Sequence, residues 1–147
     1  MKINWYQKIA TLLLIVLLSA CGGATPPLSL APGKNLVKQA VELQVSLAQE
    51  QLDKTLKTSS YPWEISKIKI QDLEPLYVNN LATYHLKGTY NLKIELDNKK
   101  VEQDKDNFDV YLQLQREGKT WRLLKKVLEK EKKEGENKSV WKTYLVR

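Results

Sequence analysis

Residues 35–57, NLVKQAVELQVSLAQEQLDKTLK, hold the one convincing helix in a chain that otherwise alternates. Val37, Ala40, Val41, Leu43, Leu47, Ala48, Leu52 and Leu56 fall at spacings of three and four, which keeps a broad apolar stripe on one face. Asn35, just after Pro32-Gly33, suits an N-cap. Thr58-Ser59-Ser60 and Pro62 end the helix, because a residue before proline disfavours the α region. A helix of this length is a rod of ~35 Å. An apolar face that long must lie on a sheet.

The sheet follows in the sequence. From Tyr84 to Leu96, apolar residues and Gly88 alternate with polar ones at a period of two, and Phe108, Val110, Leu112 and Leu114 repeat the pattern. Each strand has one dry and one wet face, the antiparallel pattern. Glu117-Gly118-Lys119 is a turn into a strand over Thr120–Glu129, and residues 139–147 form the last strand. The first strand is Glu64–Asp72 with Leu76–Val78, interrupted at Pro75 and closed by an Asn79-Asn80 turn. Trp121-Arg122-Leu123-Leu124 breaks the alternation, through either a bulge or burial on both faces. Trp121 is expected on the inward face with Leu123, against Val41, Leu47, Ala48 and Leu52.

The expected fold class is therefore α+β: one long N-terminal helix packed on a curved antiparallel sheet of about five strands, in one domain over 35–147. This element order resembles the cystatin-like fold and its NTF2-like branch, in which a curved sheet wraps an N-terminal helix. An NTF2-like domain normally brings additional helices before its sheet, and the Gln-x-Val-x-Gly inhibitory stretch of cystatins is absent. The resemblance assigns no functional residue. Gly88 marks either the bend of a curved sheet or a packing gap beside an aromatic.

Residues 1–20 read as an export signal. Lys2 and Lys8 precede an uncharged run from Ile9 to Leu18, then Ser19 and Ala20. Ten helical residues span ~15 Å, about half of a bilayer's hydrocarbon core. Leu18-Ser19-Ala20-Cys21 resembles the lipobox of bacterial lipoproteins. That resemblance implies cleavage before Cys21, a diacylglycerol thioether on its sulfur and an acylated amine. Two acyl chains anchor a protein stably. The implied location is extracytoplasmic, on the periplasmic or outer face of a membrane. Residues 22–34, GGATPPLSLAPGK, have no periodicity and read as a flexible tether.

Losing Lys2 and Lys8 lowers the net charge from +7 to +5. The excess lies in residues 116–147, with eleven Lys and Arg against five Glu. Within it, Lys125, Lys126, Lys130, Lys132 and Lys133 form a candidate basic surface for steering toward an acidic partner, an anionic lipid or a cell-wall polymer. Nucleic acid is not expected as a partner of an exported chain.

No catalytic constellation stands out. One Cys and one His exclude a disulfide framework and a usual Cys/His metal site. His85 lies between inward-pointing Tyr84 and Leu86 and is expected to face water. Asp104, Asp106 and Asp109 lack the glycine and final glutamate of a calcium loop. A carboxylate pair acting as acid and base could still lie inside the curved sheet, since Glu64 and Asp72 fall on strands, but nothing in the spacing singles them out. No cofactor is implied. Three classes remain: a non-catalytic envelope interaction or assembly module, favoured by elimination; a small-molecule binder using a cavity between helix and sheet; and an NTF2-like enzyme. For the first, Tyr77 and Val78 at the hairpin turn, joined by Tyr111, form a candidate apolar knob. The alternative packs Tyr77 and Val78 under one end of the helix.

Overall fold

The computed structural model describes residues 25–56, 61–130 and 137–147, without the side chains of residues 130, 137 and 138. Cys21 and residues 1–20, the expected export signal, lie outside the described residues, as do Lys132 and Lys133. Helix α1 spans Lys34–Leu56 and is followed by strands β1 (Trp63–Val78), β2 (Leu81–Leu96), β3 (Lys99–Leu114), β4 (Trp121–Lys130) and β5 (Asn137–Leu145). Among the described residues these strands form one open antiparallel sheet in the order β1-β2-β3-β4-β5. A helix packed on such a sheet is the α+β arrangement anticipated above.

The β1–β2 turn is Asn79-Asn80, with φ of 51° and 61° at its two central residues. Such a turn matches the right-handed twist of the strands it joins, and asparagine tolerates the left-handed region. Helix α1 starts one residue before the expected cap. The Val37 N–H donates to the Gly33 carbonyl at 3.1 Å, so Gly33 and not Asn35 takes the N-cap position.

Two strands run further than their hydropathy suggests. β1 continues through Pro75, which an edge strand tolerates because its outer side needs no N–H. β3 begins at Lys99, nine residues ahead of Phe108, since pairing with β2 carries a polar segment that has no alternation of its own. The pairing is irregular in places. β1 shifts register between Ser66 and Lys69 and again between Ile70 and Asp72, and Lys67 adopts a φ of 53°. β3 carries an extra residue opposite Tyr90–Leu92, where Lys105 has a φ of 59°. Buried Asn91 holds that bulge, accepting the Lys105 N–H at 3.3 Å and donating to the Asp104 carboxylate.

Val37, Ala40 and Val41 of α1 are fully buried against Ile65, Ile68, Tyr84, Leu86, Phe108, Val110, Leu112 and Leu123. The apolar stripe is used over only the first half of the helix. Ala48 is exposed, and Leu52 and Leu56 retain 57% and 64% of their surface. Trp121 does pack on the core side, but its ring partner is Tyr84, 6.0 Å away at 49°. Its expected neighbours Ala48 and Leu52 are exposed.

The sheet is split. β3 and β4 pair only from Tyr111↔Leu124 to Leu114↔Trp121, whereas β4 and β5 pair from Arg122↔Leu145 to Lys130↔Asn137. Beyond Leu124 the β4–β5 hairpin therefore leaves β3 and forms a two-stranded arm. Helix α1 serves the opening: Gln44 Nε2 donates to the Asp109 carbonyl of β3 at 3.1 Å. This bond gives the Asp109 carbonyl a partner where the neighbouring strand departs. At the junction Leu123 and Leu124 are both buried with no register shift, so the broken alternation reflects burial on both faces.

The segment read as a free tether joins the domain from Pro26 onward. Pro26 and Pro32 are buried, Ala31 packs on the core, and Leu28–Leu30 form a 3-10 turn. The Tyr84 hydroxyl donates to the Pro27 carbonyl at 2.7 Å. A buried phenol requires an acceptor, and this carbonyl supplies it.

Candidate docking surface on the helix-free face

Directly opposed residues of an antiparallel sheet share a face. The register Glu74↔His85↔Tyr111↔Leu124 therefore lays one row across four strands on the face away from α1. The His85 ring stacks on Tyr111 with centroids 4.0 Å apart and planes 6° from parallel. Its Nε2 lies 2.7 Å from Asp109 Oδ1, and its Nδ1 faces Glu74 Oε2 at 3.7 Å. On the far side Tyr111 meets Trp141 of β5, with centroids at 5.0 Å and planes at 60°. Burial, followed by the Asp109 and Glu74 carboxylates, raises the Tyr111 pKa, so this phenol stays neutral at physiological pH.

His85 thus points where the alternation placed it, but its side chain is only 11% exposed. The freely solvated histidine expected from sequence is instead a clasp. Carboxylates from β1 and β3 flank its two ring nitrogens, and a tyrosine covers one ring face. What the cluster offers chemically is a rigid aromatic ridge at the root of the arm.

The expected knob is not assembled. Val78 is buried, while Tyr77 is half exposed. Tyr77 pairs with Ala82 on the helix side, and Tyr111 stands on the opposite face, so the three residues share no patch. Val78 is also tied down through its backbone: Gln113 Nε2 donates to its carbonyl at 2.9 Å and lies 3.3 Å from the Thr83 hydroxyl. The basic surface divides likewise, because consecutive strand residues face opposite ways. Lys125 is half buried beside Gln44 and Leu47, whereas Lys126 is exposed and pairs with Trp141. Lys130 ends β4.

The space between α1 and the sheet is occupied by the core. A cavity of ≈ 540 Å³ lies elsewhere, near the turn between β2 and β3, lined by Trp63, Ile94 and Val101 with charged neighbours. Four of those charges are already engaged: Lys100 bonds Glu95 at 2.7 Å and Lys93 faces Glu102 at 3.8 Å. The hydrogen bond and charge of Lys100 lower the Glu95 pKa. Glu64 and Asp72 are exposed on the edge strand and form no buried acid–base pair. Asp104 is held by Asn91, Asp106 by Gln103 and Asp109 by His85. Among the described residues no group of three or more metal-ligating side chains converges, and no helix is long and apolar enough to cross a membrane.

Comparison with protein-family models, curated proteins and solved structures gives no match for this chain. The likeness to the cystatin-like and NTF2-like plans is one of element order alone. Glu74, Asp109 and Trp141 are the site residues that the sequence pattern left unmarked. Reflection about the Asn79-Asn80 turn pairs Glu74 with His85, and this signal was available.

Proposed function

We propose that the chain is a bacterial lipoprotein, anchored through acyl chains on Cys21 at the extracytoplasmic side of a membrane, and that it acts as a non-catalytic interaction or assembly module of the cell envelope. Its docking element is the β4–β5 arm with the aromatic ridge at its root. The observation that carries this reading is the open state of the arm. The Val146 N–H donates to the Trp121 carbonyl, and alternation then turns the backbone groups of Ser139, Trp141, Thr143 and Leu145 to the outer edge of β5. Among the described residues nothing pairs with them.

The other edge of the sheet is guarded. β1 carries two bulges and Pro75, devices that discourage strand addition, whereas β5 pairs with β4 without a shift and contains no proline. An extended acidic segment adding to β5 would gain main-chain hydrogen bonds. Lys126, Lys142 and their neighbours would speed its approach.

A photo-crosslinking side chain placed at Leu128 or Thr143, both exposed, tests this in the producing cell. The expected result is one discrete protein adduct from these positions and none from Asp97 at the β2–β3 turn. Equal adducts from all three, or none from the arm, contradict the reading.

A further inference from the structure

We propose that Leu28, Leu30 and Tyr77 form an apolar foot that dips into the lipid surface and seats the domain upright on its membrane; this rests on the acylation of Cys21 proposed above. The length of chain before the folded part supports it. Pro26 is buried and the Pro27 carbonyl is held by Tyr84, so the domain begins five residues after Cys21. Five residues reach ~17 Å at full extension. A domain so tethered stays within ~17 Å of its anchor, close enough for its entry end to touch the headgroups.

The residues set at that entry point are unlike a solvated spacer. Leu28 is 65% exposed and Leu30 48%. Their turn is closed on itself, with Leu30 N–H donating to Pro27 and Ala31 N–H to Leu28, so both side chains are presented on a fixed backbone. Tyr77, 50% exposed, stands on the same sheet face as Tyr84, the residue that holds Pro27. Tyrosine suits a boundary where one end of the ring is apolar and the other wet. Arg116, Lys119 and Arg147 are exposed at this end of the sheet, with Glu117 among them, and can meet anionic headgroups. β4 starts here at Trp121 and runs ~30 Å to Lys130. The foot therefore directs the basic arm away from the anchoring membrane, toward a partner.

The acylated full chain, in vesicles of phosphatidylethanolamine and phosphatidylglycerol, provides the test. Its only cysteine is blocked by lipid, so a nitroxide can be placed through Ser29→Cys or Asn98→Cys alone. The foot predicts a label at 29 that is open to oxygen and several-fold protected from an aqueous nickel chelate, with the reverse at 98. Leu28→Ser with Leu30→Ser, at exposed positions, is expected to keep the protein attached and return the label at 29 to water. Equal nickel access at 29 and 98 in acylated protein overturns the foot alone. Protection from both reagents means a protein contact and also overturns it, as does a Ser pair that changes nothing. A chain without acyl on Cys21 overturns the anchoring and the foot together.

Discussion

Gly88 sits directly opposite Phe108, and a methyl group added there would meet the Lys69 carbonyl at 2.1 Å and the Phe108 ring at 2.7 Å. Backbone on one side and a buried ring on the other leave little to yield. Gly88→Ala is expected to destabilise the fold by ~3 kcal/mol, the upper end for an overpacked core, as read by chemical denaturation. Tyr84 makes a second residue-level case. Removing its hydroxyl takes one of two donors from the Pro27 carbonyl, which keeps the Leu30 N–H, at a cost of ~1 kcal/mol. In Tyr84→Phe the amides of Leu30 and Ala31 should exchange faster with solvent while those of β2 do not. The hydroxyl also links the N-terminal strap, residues 26–32, to pH. Burial, then the nearby Tyr77, raises the Tyr84 pKa above the ordinary 10.0. A folded-state value raised in this way makes the contribution complete below about pH 10 and lost as pH climbs through the folded value. Thermal unfolding between pH 8 and 11 should show that alkaline loss shrinking in Tyr84→Phe. At this scale the sequence was partly legible. The face of His85 followed from alternation, and reflection about the Asn79-Asn80 turn could have placed the unmarked Glu74 opposite it. Asp109 did not follow, because the bulge at Lys105 shifts the β2–β3 register by one residue and no local pattern announces it.

Helix α1 illustrates what periodicity can and cannot say about an element. The stripe correctly identifies a helix and its inward side, yet Leu52 and Leu56 belong to the same stripe as Val37 and Val41 and remain exposed. Spacing reports which residues share a face; how far a sheet extends beneath that face is decided by strand pairing elsewhere in the chain. Leu52→Gln with Leu56→Gln is accordingly expected to change unfolding free energy by no more than ~0.5 kcal/mol each, as for surface positions. A loss of several kcal/mol in a urea titration would mean that the second half of α1 is packed. The split of the sheet was signalled only by Trp121-Arg122-Leu123-Leu124, whose two adjacent buried leucines mark the place where the arm, the helix and the aromatic ridge meet. The start of β3 was hidden for a related reason. Its polar first half pairs with β2 but covers no core, so it carries no hydrophobic period to read.

Across the whole molecule, the described elements fit a domain held at one end and open at the other. The N-terminal strap, the Asn79-Asn80 turn and the start of β4 share one end of the sheet, while the tips of the β2–β3 hairpin and the basic arm lie at the other. Buried core, strap and clasp give this body a fixed shape, and its open strand edge and aromatic ridge give it a surface to offer. The proposed location and the proposed foot both depend on acylation of Cys21. The most direct measurement is metabolic labelling with an alkyne fatty acid, paired with the mass of the mature N-terminal peptide, in the wild-type chain and in Cys21→Ser. The account predicts a chain that begins at acylated Cys21, and a variant that carries no label and keeps its first twenty residues. Label retained in Cys21→Ser, or an unlabelled wild-type chain that is nonetheless cleaved and released, would contradict it.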